Sequence, residues 1–361
     1  MRILQVIDSL YRGGGAEKLA LDLALTLKNR EGVDVDILSI GPPKNNDFVN
    51  EAEKNGVSHH CLSNKSISWK NIFKLRRFLL DGKYDIIHVH LFPALYMVPL
   101  SLCFHVSKSR LIFTEHSTSN KRRGKIIFRL IEHFIYNRYN RVVAISPEVA
   151  KNVIDHANIS NVDIVPNGVD IDEIDKTPVK SSVHNELNLS TDSVVLTMVG
   201  RFVPGKDQST LIQSLAYLPE NVHVVCVGDG VLRESVQEQT EKEPYANRVH
   251  FLGLRKDVIS ILKSSDIIVL SSEHEGFSLS MLEAMACRKP FVASAVPGIE
   301  DLVENNAILF EYQDARSLAD GVQKLIDDKS LYAEMSNKSR QFAERYDLKL
   351  IAKKYLSTYK Q

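Results

Sequence analysis

Long apolar runs are absent from this sequence of 361 residues. The longest candidate, residues 91–106, is shorter than the ~20 apolar residues that a membrane-spanning helix needs, and Pro93 and Pro99 interrupt it. Residues 1–7 lack the long apolar stretch and the cleavage site of a secretory signal peptide. We therefore expect neither a membrane-spanning segment nor secretion, and we predict a cytoplasmic protein.

The sequence also has few cysteines and no net charge. The four cysteines, Cys61, Cys103, Cys226 and Cys287, show no C-x-x-C spacing, which indicates buried thiols in a reducing compartment. The 45 Lys and Arg residues balance the 45 Asp and Glu residues, so the overall charge gives no reason to expect a nucleic-acid partner. Any basic site must be local.

Short β-branched strand patterns alternate with helical patterns along the chain, in two successive series. This alternation is typical of α/β domains with a parallel sheet. The predicted strands are 3–7, 33–40, 86–90, 111–114, 142–145 and 162–165 in the first series, and 194–199, 222–227, 249–252, 267–270 and 291–293 in the second. Residues 172–192 have weak periodicity and predict an interdomain linker, whereas residues 346–359 again predict a helix.

The stretch from Ser272 to Ala286 joins a predicted strand to a helix that should begin near Ser278. Ser278 is a favourable N-cap residue, and apolar residues follow it at helical spacing. Glu275 then lies in the loop and Glu283 in the first turns of the helix. Free backbone N–H groups at a helix start suit a phosphate, and flanking carboxylates suit sugar or ribose hydroxyls. An ordinary turn with two solvated glutamates is the alternative at this point.

Two other glycine-containing loops follow predicted strands. The run of glycines at 13–15 opens the first helix, where glycine lets a ligand approach the backbone and the helix dipole favours an anion. The loop at 200–206 contains Arg201 and Lys206, two cations suited to a diphosphate whose negative charge grows as a bond to it breaks. A tight turn without a ligand and solvated loop charges are the respective alternatives.

Three histidines lie near the ends of predicted strands. His88 and His90 are two residues apart, so their side chains should share one face of the sheet. This is also metal-ligand spacing, but without a third nearby ligand candidate we favour core or supporting roles. His116 follows the next strand, at the edge where ligands of open α/β sheets gather, although a lone histidine there is more often structural. We attribute the D-x-D pattern of Asp34 and Asp36 to chance, since it lies inside a strand pattern.

The region 104–141 is locally basic, with nine Lys and Arg residues against Glu115 and Glu132. Apolar residues run through 126–135 at helical spacing. A basic amphipathic segment of this kind, here residues 121–141, can lie on an anionic membrane surface. An ordinary helix with a solvated basic face over an apolar core stripe is the alternative.

Seven stretches, taken in order, resemble motifs of the retaining glycosyltransferases of family 4. They are Gly-Gly-Gly-Ala-Glu at 13–17, His-x-His at 88–90, Thr-Glu-His at 114–116, Pro-Asn-Gly-Val-Asp at 166–170, Gly-Arg-Phe-x-x-x-Lys at 200–206, Gly-Asp-Gly at 228–230 and the E-x7-E pattern of Glu275 and Glu283. The resemblance implies the α/β GT-B fold, in which two Rossmann-like domains face a cleft and the C-terminal helix crosses back to the N-terminal domain. The expected domains are 1–172 for the acceptor and 173–345 for the nucleotide sugar, with 346–361 as the crossing helix.

The resemblance also implies a reaction and its residues. A sugar would pass from a nucleotide diphosphate, expected to be UDP, to an acceptor hydroxyl with retention of configuration and without a metal or other cofactor. The implied catalytic residues are His116, Glu275, Arg201 and Lys206. The implied donor-binding residues are Gly14, Gly15, Arg201, Lys206, Gly228, Phe277, Ser278, Leu279 and Glu283. Glu283 would hold the ribose, Arg201 and Lys206 the diphosphate, and Glu275 the sugar hydroxyls.

The expected acceptor is a saccharide or a lipid-linked molecule, as in bacterial-type surface polysaccharide or glycolipid synthesis at the inner face of the membrane. Two alternatives stay open. A nucleotide-sugar epimerase of the same architecture would lack this pairing of E-x7-E with Gly-Arg-Phe-x-x-x-Lys. A non-catalytic nucleotide-binding or membrane-surface module is the other alternative, and the intact set Glu275, Glu283, Arg201 and Lys206 argues against it.

Overall fold

Two parallel sheets carry the fold, each in its own unit of the chain. The computed structural model describes residues 1–103, 105, 108–117, 126–303 and 305–361. Unit 1 consists of Met1–Gly168 together with Leu348–Gln361, and unit 2 of Val169–Asp347. The predicted α/β architecture of two Rossmann-like halves is confirmed.

The described strands of unit 1 form a seven-stranded sheet in the order β3-β2-β1-β4-β5-β6-β7. Its strands are β1 (Arg2–Ile7), β2 (Asp34–Ser39), β3 (Ser58–Cys61), β4 (Ile86–His90), β5 (Arg110–Glu115), β6 (Arg141–Ala144) and β7 (Val162–Ile164). Its helices are α1 (Gly15–Lys28), α2 (Asp47–Lys54), α3 (Lys70–Gly82), α4 (Ala94–Ser101), α5 (Ile126–Tyr136), α6 (Pro147–Ala157) and, from the chain's end, α16 (Leu348–Lys360).

The described strands of unit 2 form a six-stranded sheet in the order β10-β9-β8-β11-β12-β13. Its strands are β8 (Val194–Val199), β9 (Val222–Val227), β10 (Val249–Gly253), β11 (Ile267–Leu270), β12 (Phe291–Ser294) and β13 (Ile308–Phe310). Its α-helices are α7 (Ile171–Lys176), α8 (Val183–Glu186), α9 (Gln208–Gln213), α10 (Arg233–Thr240), α11 (Val258–Ser264), α12 (Leu279–Ala286), α13 (Glu300–Val303), α14 (Ala315–Asp327) and α15 (Lys329–Glu344).

The strand order reverses beside the first strand of each sheet. As a result β1 pairs with β4 in unit 1, and β8 pairs with β11 in unit 2. In doubly wound sheets, ligands bind in the crevice outside the carboxyl ends of the strands at such a switch point. The loops that follow β1, β4, β8 and β11 are therefore the places where a site is expected.

The C-terminal helix α16 belongs to unit 1, where it packs against α1. Its buried face includes Ile351, Ala352, Tyr355 and Tyr359. Burial of the Ile351 side chain, for example, stabilises the unit by about 1.5–3 kcal/mol. The two tyrosine hydroxyls are buried with their rings and need hydrogen-bond partners inside the unit.

Three expectations need correction. Residues 172–192 do not form a free linker, because the backbone amides of Lys180 and Val183 are each 3.2 Å from serine hydroxyls on α11. Strands β3 and β13 were not predicted, since the first is polar and the second has only three residues. Cys61 is exposed instead of buried.

Within the described ranges, no helix combines the length and the hydrophobicity that crossing a membrane requires.

Candidate active site

Unit 2 brings Lys206 and Glu275 together at the switch point of its sheet. Lys206 lies in the loop after β8, and Glu275 lies in the loop after β11. The Lys206 ammonium forms an ion pair with Oε1 of Glu275, and the Ser272 hydroxyl donates to the same oxygen at 2.9 Å. The two charged side chains are 22% and 13% exposed, so water and salt screen this pair less than a surface ion pair.

Backbone and hydroxyl contacts hold these two loops against each other. The amide of Glu273 donates to the carbonyl of Gly205 at 2.8 Å, and the Ser271 hydroxyl donates to the carbonyl of Asp207 at 2.7 Å. Both contacts join the loop of Lys206 to the loop of Glu275. They therefore hold the two charged residues close to each other.

The predicted donor-binding loops at Gly200 and Gly228 approach each other closely. The amide of Gly200 donates to the carbonyl of Val227 at 2.9 Å, and a Cβ on Gly228 would collide with the Gly200 carbonyl oxygen. Gly228 also has a φ of 142°, a conformation that side chains disfavour. This packing places Arg201 at the end of β8 with its side chain exposed.

Helix α12 begins where the sequence predicts. Ser278 is its N-cap residue, and its hydroxyl accepts a hydrogen bond from the Met281 amide at 3.4 Å. The ring of Phe277 is buried and packs edge-on against Tyr346, with 4.8 Å between ring centroids. Leu279 is buried as well. The groups of this segment that can bind a phosphate are therefore the backbone amides at the start of the helix.

Glu283 projects from α12 and is only 8% exposed. It lies close to Cys287, whose pKa is raised to about 12 by burial and, to a smaller extent, by the charge of Glu283. A thiol with so high a pKa stays protonated at neutral pH. Cys287 is buried and packs beside α12.

In unit 1, the glycine run forms the tight turn between β1 and α1. Gly14 is the N-cap residue and has extended backbone, and Gly15 is the first helical residue. The carboxylate of Glu17 lies against Gly14 so closely that a Cβ there would collide with it. The turn thus places an acidic side chain beside the helix start, next to the switch point of this sheet.

The three histidines come together at the carboxyl ends of β4 and β5. The ring centroids of His88 and His90 are 4.2 Å apart, which confirms their predicted common face. Nε2 of His116 lies 3.1 Å from Nδ1 of His90, so the structure provides the third histidine that spacing alone did not reveal. Even so, no group of three or more His, Cys, Asp or Glu side chains in the described residues is arranged to hold a metal ion.

These histidines are uncharged at neutral pH. Burial lowers the pKa of His88 to about 3 and that of His116 to about 4, and it lowers the pKa of His90 well below its ordinary value. Each ring therefore has one donor and one acceptor nitrogen. His116 can exchange hydrogen bonds with a ligand, and burial disfavours its charged form.

The Asp34 and Asp36 pair has a structural role. Asp36 is buried and accepts hydrogen bonds from Tyr84 at 2.9 Å and from Arg2 at 3.0 Å, while Asp34 is paired with Lys28 at 2.5 Å.

The sequence models of two protein families match consecutive parts of the chain. Glycosyltransferase Family 4 matches residues 13–173, and Glycosyl transferases group 1 matches residues 179–342. The chain belongs to glycosyltransferase family 4.

Curated relatives and a solved structure agree with this assignment. The Escherichia coli UDP-Gal:alpha-D-GlcNAc-diphosphoundecaprenol alpha-1,3-galactosyltransferase is 29% identical over 280 residues, which cover 73% of this chain and 71% of the relative. The Campylobacter jejuni N,N'-diacetylbacillosaminyl-diphospho-undecaprenol alpha-1,3-N-acetylgalactosaminyltransferase is 30% identical over 175 residues, 48% of this chain and 46% of the relative. Anabaena HepE, solved in complex with UDP and glucose, superposes with a TM-score of 0.84 at 24% identity over 99% of both chains. This glycosyltransferase shares the GT-B fold with it.

Several residues around the glycosyltransferase motifs were not predicted from the sequence. Ser272 bonds to Glu275, and Gln5 and Tyr359 bond to the histidine cluster. Gln5 gives a usable sequence signal, because it is a polar residue in the middle of an apolar strand pattern. The contacts of Tyr359 could not be predicted, since they depend on where α16 packs.

Proposed function

We propose that this glycosyltransferase moves a sugar from a UDP-sugar to a hydroxyl of a saccharide or lipid-linked acceptor, with retention of anomeric configuration. The observation that carries the proposal is the Lys206–Glu275 ion pair beside the Ser278-capped start of α12. This arrangement places a cation, a carboxylate and the amides of a helix start at one switch point of the sheet. These groups suit the phosphates and hydroxyls of a nucleotide sugar.

In this proposal Arg201 and Lys206 bind the diphosphate, and the amides at the start of α12 bind its distal phosphate. As the bond to the sugar lengthens, negative charge accumulates on the diphosphate, so these donors stabilise the transition state more than the bound substrate. Glu283 binds the ribose hydroxyls. Because protein cations neutralise the diphosphate, the reaction needs no metal ion or other cofactor.

Retention can follow from two displacements or from attack on one face. Two displacements need a carboxylate on the face of the sugar opposite the leaving group. Glu275 is paired with Lys206, the proposed diphosphate ligand, which supports a place on the leaving-group side. We therefore favour same-face attack: the sugar C1–O bond to phosphate breaks with its electron pair leaving on UDP, the acceptor oxygen bonds to C1, and its proton passes to a phosphate oxygen. Glu275 and His116 contact the sugar hydroxyls.

Two relatives named for lipid-linked substrates support a lipid-linked acceptor. Helix α5 supports peripheral contact with the inner face of an anionic membrane, because Leu130 and Phe134 are 71% and 54% exposed and Arg129 and Arg138 are exposed nearby. An exposed apolar face bordered by arginines is typical of helices that lie at a membrane interface. Residues 121–125 of the predicted basic segment lie outside the described residues.

The proposal is tested by incubating the purified protein with UDP-Gal, UDP-GalNAc, UDP-Glc or UDP-GlcNAc and with undecaprenyl-diphosphate saccharides or free saccharides. We expect one donor to release UDP and to label an acceptor, with the same rate when a chelator is present. Epimerisation of a donor without UDP release would indicate an epimerase, and binding of UDP without turnover would indicate a non-catalytic module. Loss of turnover on chelation, restored by magnesium or manganese, would overturn metal independence.

A further inference from the structure

The helices of unit 1 lie on two opposite faces of its sheet. The path from β1 through β2 to β3 runs toward one edge, whereas the path from β3 through β4, β5, β6 and β7 runs toward the other. Because crossovers between parallel strands are right-handed, α3, α4 and α5 lie on one face and α1 and α2 on the opposite face. The packing agrees, since α3 contacts α4, α4 contacts α5, and α16 contacts α1.

The face of α3, α4 and α5 exposes large apolar side chains from each of its three helices. Trp69 and Phe73, at the start of α3, are 69% and 64% exposed, and their rings are in edge-to-face contact with 5.9 Å between centroids. Leu100 is exposed on α4, and Leu130 and Phe134 are exposed on α5. We call these five residues and the helices that carry them the apolar face of unit 1.

The opposite face of the sheet differs. Within the described parts of α1, α2 and α16, Leu350 is the one large apolar side chain that is exposed. Single apolar residues of this kind are normal on a protein surface, whereas several of them on one face mark an interaction site. The asymmetry therefore assigns a partner to the apolar face.

Positive charge surrounds the aromatic pair at the start of α3. Lys70, Lys74 and Arg77 are exposed and recur at helical spacing, on the stripe that also carries the exposed phenylalanine. The Lys70 ammonium lies 6.0 Å from the centroid of the tryptophan ring. Residues 63–83 contain six Lys and Arg residues against one acidic residue, Asp81. The partner should therefore be anionic as well as apolar.

Anionic lipid fits this combination better than a protein does. The core of a protein interface is depleted of lysine, whereas lysines here stand beside the most exposed rings of α3. Tryptophan favours the boundary between lipid headgroups and acyl chains, since its ring is apolar and its N–H is polar. Lysine and arginine place their apolar stems along such a surface and their charges among anionic headgroups.

We propose that α3, α4 and α5 together form a membrane-docking face of unit 1, with Trp69 and Phe73 as an anchor in the interface of an anionic bilayer. This inference rests on the proposed function, in which α5 contacts such a membrane, and it adds a second and separate point of contact. A unit held by one helix can rotate about the axis of that helix. A unit held at both α3 and α5 has a fixed orientation, so the carboxyl edge of its sheet keeps a constant position relative to the lipid.

The test uses the fluorescence of Trp69, which is the only tryptophan of the sequence. The full-length protein is titrated at low salt with vesicles that contain phosphatidylglycerol and, separately, with vesicles of phosphatidylcholine alone. With the anionic vesicles we expect the emission to shift to shorter wavelength and to be quenched by lipids brominated near the headgroup. Emission that stays unchanged while the protein cosediments with these vesicles would overturn the inference and leave the contact through α5 intact.

The double variant Trp69→Ala and Phe73→Ala measures how much the anchor contributes to binding. Both side chains are exposed, so the fold should tolerate their loss, and binding to anionic vesicles should weaken at least about tenfold because two apolar rings no longer enter the interface. Leu350→Ala is the matched control, since this exposed apolar residue also lies beside lysines, Lys349 and Lys353, but on the opposite face. It should bind as the wild type does. Equal binding of the double variant and the wild type would overturn the inference.

Two further measurements separate this inference from its alternatives. Sedimentation of the protein without lipid should show no dimer that depends on Trp69 and Phe73, and such a dimer would assign the face to a second copy of the chain and overturn the inference. Transfer of sugar to an acceptor dissolved in detergent should be the same in the double variant and the wild type. A wild type that binds vesicles through Trp69 but releases no UDP from any donor would refute the proposed reaction and leave the docking face supported.

Discussion

Lys206 and Glu275, 69 positions apart in the sequence, share an ion pair at the carboxyl ends of β8 and β11. They meet because these two strands are neighbours in the sheet. The sequence motifs assign them separate roles, one toward the diphosphate and one toward the sugar. In the proposed function they act together, with the carboxylate orienting the cation.

The first prediction concerns Glu275→Gln. The sugar ring gains positive charge as the bond to phosphate lengthens, so the attraction of this carboxylate grows toward the transition state. We expect kcat to fall at least about tenfold, a rise in the barrier of about 1.4 kcal/mol or more, with a much smaller change in the donor KM. Steady-state kinetics with the active UDP-sugar measures both.

Glu273→Gln is the matched control, because the Glu273 side chain is 53% exposed. It should keep a kcat close to that of the wild type. A near-wild-type kcat in Glu275→Gln itself would refute the role assigned to this residue.

The second prediction concerns Glu283→Ala. Hydrogen bonds to the ribose are made equally in the ground and transition states, so their loss should weaken binding without slowing chemistry. A hydrogen bond to a charged group contributes about 1.5–3 kcal/mol, which corresponds to roughly 10- to 150-fold in the Kd for UDP. Calorimetric titration with UDP measures this change. An unchanged Kd together with a reduced kcat would contradict the ribose role.

Local sequence patterns predicted most of the architecture and most of the loops that carry the site. Strands such as β4 and β8 have β-branched apolar runs with clear ends, so their bounds were predicted without error. The start of α12 was predicted because an N-cap serine is a local signal. These features depend on residues that are near one another in the chain.

The pairings could not be predicted, because they depend on strand order and helix packing. Nothing in the sequence indicates that Lys206 meets Glu275, or that Tyr359 reaches His88. The weak pattern of residues 172–192 predicts a linker, yet the segment contains short helices and is anchored by hydroxyls on α11. Tertiary contacts stabilise this segment, and local propensity does not reveal them.

The third prediction concerns stability at low pH. His88 has an ordinary pKa of 6.5 that burial lowers to about 3 in the folded protein, so the unfolded chain binds a proton first as the pH falls. Stability is therefore fully present above pH 6.5 and decreases below it. Linkage gives a loss of about 2 kcal/mol for one such histidine between pH 7.5 and pH 5. Urea unfolding at a series of pH values measures the slope.

His88→Asn should reduce this slope, whereas His274→Asn should not, because the side chain of His274 is 53% exposed. A free energy of unfolding that is constant between pH 7.5 and pH 5 in the wild type would contradict the buried neutral state.

The fourth prediction concerns membrane contact through α5. The double variant Leu130→Glu and Phe134→Glu should bind vesicles of anionic lipid more weakly than the wild type, because it removes apolar contacts and adds repulsive charge. Wild-type binding should also weaken as salt rises, since salt screens the attraction. Leu254→Glu, at an apolar position that is 63% exposed in unit 2, is the control and should bind normally. If the wild-type protein binds neither anionic nor neutral vesicles at low salt, this contact is excluded.

The stereochemistry of the product tests the central claim most directly. With the UDP-sugar that proves active, whose sugar is α-linked to the diphosphate, the coupling constant of the anomeric proton in the purified product reports the new linkage. Same-face transfer requires an α-linked product, because the acceptor takes the position that UDP leaves. A β-linked product would contradict retention and the roles proposed for Arg201, Lys206 and Glu275 in same-face attack.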